Sequence, residues 1–498
     1  MPYQDNPENK NFYKLFLITF ALAILAYGFA LSNFTVSIDN EAPIFPDFGM
    51  SFGRWGQNLI RYHLFAGFLQ YFTLLLSLFL FSLSAVKLSA LFKFNNYTSY
   101  FFCALFVTFP QLSYQLVFSI MADVAGIGFL LSVISVELFL KGIQANSLIK
   151  KILLLIAVPL LLMFTLSIYQ AFVLVPITIF VILFFIKTFE DTFELIPEIK
   201  KTLLFIGIVV LSILFYSISV KLICPPIEKS EYLSSFVSGN SENIFSNFLS
   251  LCKNHLKGTS YYGEKLYILI PLLFALLLPN LFINKKYFVY RILILFFLSI
   301  SPFIISFFIT NGYHPPRLYL TSNLIFAFGI SLFIDRFKIS SQNIVKTLVT
   351  LIVIINIYFV TNLFYSVNKI YKHDKKIAEK IDSIIQSKYP NFSVGDKTVY
   401  FYGYFNYDYH QKFRLENSEI FGGSFFSWDN GNNYRIINFI KEADVADYKM
   451  LESKEKLSII KDSITNMKVW PDYDSVKMID NVVVVKLGKE KGAPLYFE

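Results

Sequence analysis

Long apolar runs, separated by short polar connections, occupy the first three-quarters of the chain. A hydrocarbon core of ~30 Å demands about 20 apolar residues per crossing helix. Runs at approximately 12–34, 64–86, 97–117, 119–140, 151–168, 170–187, 202–222, 266–284, 287–310, 318–334 and 344–365 come close to that length and predict about eleven transmembrane helices, with 151–187 open to a re-entrant pair. Beyond residue 366 the pattern changes. Lys369 to Lys388 reads as a charged helix, while Thr398 to Phe405 and Asn481 to Leu487 are rich in strand formers. The pattern predicts a polytopic α-helical membrane domain over 1–365 and a small C-terminal α/β domain over 366–498.

Composition places most of the chain in lipid: 55% of residues are hydrophobic, mean hydropathy is +0.54, and 57 of 498 residues are Phe. The net charge of +9 changes the picture only through its placement. Lys and Arg fall in small clusters between apolar runs and form no nucleic-acid patch. Lys10 and Lys14, Lys87 and Lys93, Lys141, Lys150 and Lys151, Lys187, Lys200 and Lys201, Lys285, Lys286 and Arg291, and Arg336, Lys338 and Lys346 all fall on one side. The positive-inside rule makes that side cytoplasmic. An odd helix count then puts the N-terminus in the cytoplasm and the C-terminal domain outside it, with outer loops at 35–63, 223–265 and 311–317. The first run is too long for a signal peptide and lacks a small-residue cleavage site, so it is read as a retained helix.

Three cysteines build neither a disulfide framework nor a thiolate metal site. Cys103 lies in an apolar run, and Cys224 and Cys252 share one outer loop where a single disulfide is open to them. Gly422–Gly423 and Gly431–Asn433 are turn chemistry outside any phosphate-loop pattern, and no repeat or nucleotide motif is visible.

The candidate chemistry collects at the outer face. Asp39 and Glu41 stand two residues apart just beyond the first helix, and acids near a membrane are costly unless used or paired. From Phe52 to Tyr62, Phe52, Trp55, Leu59 and Tyr62 share one helical stripe, and Arg54, Asn58 and Arg61 share another. This predicts an interfacial amphipathic helix with cations toward water or phosphate. Asp123 begins the fourth span as a helix-capping acid or a site acid. Tyr169 and Gln170 lie at an outer turn. His314 and Arg317 flank Pro315–Pro316, and Arg317 breaks the positive-inside trend, which calls for a local anion, with a snorkelling interfacial arginine as the competing account. A carboxylate pair with nearby cations suits a lipid-linked phosphate donor: the acid deprotonates an acceptor hydroxyl and the cations stabilise the departing phosphate.

Four stretches carry a family resemblance: Asp39-Asn40-Glu41, Gly53-Arg54-Trp55, Asp123 among small residues, and Gly423-Ser424-Phe425-Phe426-Ser427-Trp428-Asp429 before Arg435. Over most of its length the chain resembles the phage-type serotype-converting O-antigen glucosyltransferases, of the glucosyl transferase II family in the GT-C superfamily. The resemblance implies a GT-C-like fold and transfer of glucose from undecaprenyl phosphate to lipopolysaccharide O-antigen or another surface glycan, at the periplasmic face of the bacterial inner membrane. A separate donor synthase and flippase would be its functional partners. It makes Asp39 or Glu41 the catalytic base. Read from the residues themselves, Arg317, Arg54 and Arg61 turn toward the donor phosphate and Asp123, Tyr169, Gln170, His314 and Trp428 toward substrate, with an interface-belt aromatic and amide at Tyr169–Gln170 and a core Trp at Trp428 as the competing accounts. Asn40 departs from a run of acids, which leaves a divalent metal role open; no cofactor is otherwise implied. The competing reading is a lipid-linked saccharide flippase, which would need polar groups through the membrane interior. A third is a membrane-anchored binding protein working through its C-terminal domain.

Overall fold

The computed structural model describes residues 7–65, 69–225, 244–281, 285–308, 314–337, 342–390, 392, 398–406 and 412–495. Two compact units emerge: Met1–Leu31 with Ile44–Thr361, and Ser32–Pro43 with Asn362–Glu498. The segment after the first helix thus belongs to the same unit as the C-terminal region.

The first unit is a helical bundle. Its helices are α1 (Pro7–Ser32), α2 (Gln70–Leu91), α3 (Asn96–Thr108), α4 (Ser119–Gln144), α5 (Leu148–Ile168), α6 (Leu174–Lys187), α7 (Leu195–Ile223), α8 (Ile244–Leu256), α9 (Leu269–Leu281), α10 (Phe288–Ile300), α11 (Ser322–Phe337) and the apolar half of α12 (Gln342–Lys388). Among the described residues nine helices are long and apolar enough to cross a membrane, which establishes a polytopic α-helical membrane protein. Two of the eleven expected runs are not single long helices. The 97–117 run breaks into α3, a 3₁₀ turn at Pro110–Leu112 and a helical turn at Ser113–Leu116. Pro110 lacks the amide hydrogen a continuing helix needs, and Phe109 before it is extended. The 318–334 run is the 16-residue α11.

Both short helices are interior. Phe102, Cys103 and Phe106 of α3 and Leu324, Ile325 and Phe326 of α11 are fully buried, and Phe109 stacks on Phe326 at 4.3 Å. Their apolar character comes from helix-on-helix packing. By contrast α7 leaves Leu203, Ile206, Val210, Leu214 and Ile218 exposed, as a lipid-facing helix should. Residues 151–187 form two helices, α5 and α6, joined by a 3₁₀ turn at Gln170–Val173. Cys103, Cys224 and Cys252 carry free thiols, so the bridge left open between Cys224 and Cys252 is not formed.

The second unit is the expected small α/β fold. Strands β1 (Thr398–Tyr402), β2 (Lys449–Met450), β3 (Val476–Ile479) and β4 (Val482–Lys486) form a sheet of order β2-β1-β4-β3. β1 pairs in parallel with β2 and β4, with Val399 opposite Val483 and Phe401 opposite Val485, while β3 runs antiparallel to β4. β4 reads Val482-Val483-Val484-Val485 because both sheet faces are covered. Val483 and Val485 pack with Ile381 and Ile385 of α12 and with Ile436, Phe439 and Ile440 of α13 (Asn433–Glu442). Val482 and Val484 pack with Leu457, Ile460 and Ile464 of α14 (Lys454–Ile464).

Candidate active site

The segment carrying Asp39 and Glu41 is pinned by the residues that lead into its turn. Val36 and Ile38 insert their side chains into the second unit's core, next to Ile381 and Phe439. Asn368 donates its amide to the Phe34 carbonyl (3.1 Å) and the Thr35 hydroxyl (2.7 Å). After these anchors the Asn40 backbone amide closes on the Ser37 carbonyl (3.0 Å), and Asp39 sits at φ 71°, a left-handed conformation that short polar side chains tolerate best. Asp39 therefore projects outward, its side chain 51% exposed, while Glu41 turns inward to 1%.

What meets them is Arg435, from the first turn of α13. Asn432 caps that helix, accepting from the Tyr434 amide (2.9 Å). Asn433 clamps it to β1 by donating to the Phe401 carbonyl (2.8 Å) and accepting from the Phe401 amide (2.7 Å). The guanidinium that this fixes in place donates from Nη1 to Asp39 Oδ1 (2.9 Å) and Glu41 Oε1 (2.6 Å), and from Nε to Asp429 Oδ2 (2.6 Å). Asp429 comes from the Trp428–Asn430 turn and has φ 48°. Trp428, beside it, is half-buried against the unit's core.

One cation shared among three carboxylates leaves the cluster net negative, and its electrostatics follow. Burial pushes the Glu41 carboxyl up to about 7, with the Arg435 charge pulling the other way. Burial works against the Arg435 charge as well, but Asp39, Glu41 and Asp429 together outweigh it and raise its pKa. Glu41 Oε2 is buried without a hydrogen-bond partner among the described residues. Among the described residues no group of three or more His, Cys, Asp or Glu side chains is arranged to hold a metal ion; the three acids converge on a guanidinium.

The other sequence-predicted residues lie in the first unit and fall into separate groups. Arg54 lies over the rings of Phe52 (5.4 Å) and Tyr169 (4.9 Å). Gln170 donates to the Phe52 carbonyl (2.7 Å) and the Tyr216 hydroxyl (2.8 Å), so Arg54, Tyr169 and Gln170 form one polar–aromatic cluster. The amphipathic helix expected from Phe52 to Tyr62 is corrected. The backbone runs as a 3₁₀ turn at Met50–Phe52, a helical turn at Trp55–Asn58 and a π-helical turn at Leu59–Leu64. Its sides are exchanged as well: Leu59 is exposed, while Asn58 and Arg61 are buried.

Arg61 is drawn inward because Asp123 waits there. The two carboxylate and guanidinium groups pair directly, Arg61 Nε donates to the Ile120 carbonyl (3.0 Å), and Asp123 Oδ1 also accepts the Val124 amide (2.9 Å). Asp123 and Arg61 thus neutralise one another inside the bundle instead of facing water or headgroups. Arg317 lies over the Phe118 ring (5.3 Å), and Tyr319 donates to the His314 carbonyl (3.2 Å). His314 is half-buried, its pKa lowered by burial and by nearby His255. Asn311–Tyr313 and 226–243, parts of the expected outer loops, lie outside the described residues.

With this geometry in hand, comparison with protein families is decisive. A family model described as glucosyl transferase GtrII matches residues 28–322, more than half of the chain. The chain belongs to the glucosyl transferase GtrII family. It is a transmembrane glycosyltransferase by that membership. No curated protein gives a match to it. The matched region contains Asp39, Glu41, Arg54, Arg61, Asp123, Tyr169, Gln170, His314 and Arg317, but ends before Trp428, Asp429 and Arg435.

Arg435 and Asp429 are the residues that sequence reasoning missed as members of the site. A signal was available, since both belong to the Trp428–Arg435 stretch on which the family resemblance partly rested.

Proposed function

We propose that the protein transfers glucose from a polyprenyl-phosphate donor to a hydroxyl of a surface glycan such as O-antigen, at the periplasmic face of the inner membrane. The observation that carries this reading is the convergence of Asp39 and Glu41, the first-loop acids, on the Arg435 guanidinium in a glucosyl transferase family member. Asp39 is the general base: it is the exposed acid, and Arg435 holds it in one orientation. Glu41 shares Arg435 Nη1 with Asp39, and its Oε2, without a partner among the described residues, accepts a hydrogen bond from a sugar hydroxyl.

In the step, Asp39 takes the acceptor hydroxyl proton as the acceptor oxygen bonds to the anomeric carbon. The carbon–oxygen bond to phosphate breaks, and its electron pair leaves with polyprenyl phosphate. A single displacement inverts the anomeric centre and needs one base. Arg54 and Arg317 are the cations assigned to the departing phosphate. Arg61 is left out of that role because its charge is matched by Asp123.

The test uses sealed membrane vesicles of known orientation, polyprenyl-phosphate-glucose and an impermeant glycan acceptor. Wild type should transfer only where the acceptor meets the periplasmic face. Asp39→Asn, which preserves size and polarity, should lower turnover per folded enzyme by about 10²–10⁴-fold. Near-wild-type turnover would remove Asp39 as base and bring the flippase reading forward.

A further inference from the structure

Both residues that the C-terminal region lends to the carboxylate cluster stand directly after an aromatic: Trp428 before Asp429 and Tyr434 before Arg435. The two rings are placed differently. Trp428 packs against the unit's core and lies on Gly423, where a Cβ would run into its ring. Tyr434 stands in the first turn of α13 with 43% of its surface exposed. Asn438, one helical turn on, hydrogen-bonds its phenol, while burial first and then the nearby Glu41 charge raise the phenol's pKa.

Two other described tyrosines of this unit are more than a third exposed, and each ring lies under a lysine. Lys369 Nζ is 5.1 Å from the ring centre of Tyr365, and Lys388 Nζ is 4.0 Å from that of Tyr473. Among the described residues no cation or second ring covers Tyr434. The backbone beneath it is fixed. Asp429, Asn430 and Gly431 take successive left-handed conformations (φ 48°, 54° and 71°), which short polar residues and glycine adopt best, before Asn432 caps α13 and Asn433 clamps it to β1. A tyrosine on such a base loses little freedom when a ligand settles on it.

Glu41 Oε2 narrows the chemistry of that ligand. A buried acceptor without a partner among the described residues calls for a donor, and a neutral hydroxyl supplies one. A pyranose carries hydroxyls at its rim and C–H bonds on its faces, and those C–H bonds suit the negative face of an aromatic ring. We propose that Tyr434 is the platform on which a pyranose ring of the acceptor glycan rests, and that it selects a ring-form sugar for reaction at Asp39. The proposal rests on the glycosyltransferase reading and adds a specificity-determining residue to it. The acceptor is favoured over the donor because a donor phosphate calls for cations, whereas Asp39, Glu41 and Asp429 outnumber the one guanidinium here.

Saturation-transfer difference NMR on the full-length protein in phosphatidylcholine nanodiscs, without donor, tests this. At least one of the methyl pyranosides of glucose, galactose and rhamnose should respond, and sorbitol, an acyclic polyol, should not. Tyr434→Leu removes the ring but keeps an apolar side chain, and should weaken the response about tenfold. Tyr434→Phe keeps the ring and loses only the bond to Asn438, so it should respond as wild type does. No response from any pyranoside, an equal response from sorbitol, or an unaffected Tyr434→Leu would overturn the proposal. So would an equal loss in Tyr434→Phe and Tyr434→Leu accompanied by faster amide exchange over residues 433–442, which would make Tyr434 a prop for α13. Binding is read without turnover, so a wild type that binds pyranosides yet transfers no glucose from polyprenyl-phosphate-glucose would defeat the enzymatic reading separately.

Discussion

Replacing Arg435 with Ala probes the three-acid cluster at its shared cation, and the three contacts should not contribute equally. Asp39 and Asp429 have side chains 51% and 49% exposed, so their pairs with Arg435 are each worth about 0–1 kcal/mol. Glu41 is 1% exposed, and truncating its partner strands a buried carboxylate, a change that costs about 3–5 kcal/mol for a fully buried pair. Arg435 is itself 20% exposed, and Glu41 has an escape, because burial already pushes its pKa to about 7 and it can take up a proton. Both considerations bring the expected loss down to about 2–3 kcal/mol. Hydrogen–deuterium exchange over residues 433–442 reads this locally: amides of α13 should exchange about 30–150-fold faster, at a decade per 1.4 kcal/mol. Arg435→Ala combined with Glu41→Gln should regain most of that protection, since no charge is then left buried, while glucosyl transfer stays low. Unchanged exchange in Arg435→Ala, or a double variant no better protected than the single one, would refute the account of Glu41 as the costly partner.

Glu41→Gln should alter how stability depends on pH. The folded pKa of about 7 lies above the ordinary 4.5, so the contribution of protonated Glu41 is full below about pH 4.5 and is lost as pH rises through 7. Melting curves in nanodiscs from pH 4.5 to 8.5 should show wild type losing ground to the variant across that window. Arg317→Ala should raise the KM for the lipid-phosphate donor by about 10–150-fold, the equivalent of a charge-assisted phosphate contact worth about 1.5–3 kcal/mol, and Arg317→Lys should recover part of it. An unchanged donor KM would free Arg317 of that role. Arg61→Ala should reduce the yield of folded protein by stranding Asp123, and Arg61→Ala with Asp123→Asn should restore it, as measured by monodisperse protein after detergent extraction.

The parts of this molecule that were legible in its sequence are those set by a length or a period. Bilayer thickness fixes how long an apolar run must be, so runs such as 119–140 and 202–222 could be read directly. The same logic did not give the form of 97–117 and 318–334, which fold as broken or shorter helices buried among others; only Pro110 hinted that the first of them would break. The candidate site divides in the same way. Asp39 and Glu41 stood out because acids beside a membrane need a reason, but their partner Arg435 lies 396 and 394 positions away, beyond the reach of any local pattern. Arg61 shows why local pattern also misleads: helical periodicity places a polar stripe toward water only when nothing inside can satisfy it. An interior acid reverses that expectation, and Asp123, already conspicuous as an acid at the start of a span, was the acid in question. Each unexplained charge in a membrane sequence is therefore better treated as half of an unseen pair: at Asp123 the missing half was an arginine that periodicity had assigned to the surface, and at Glu41 it was one from the far end of the chain.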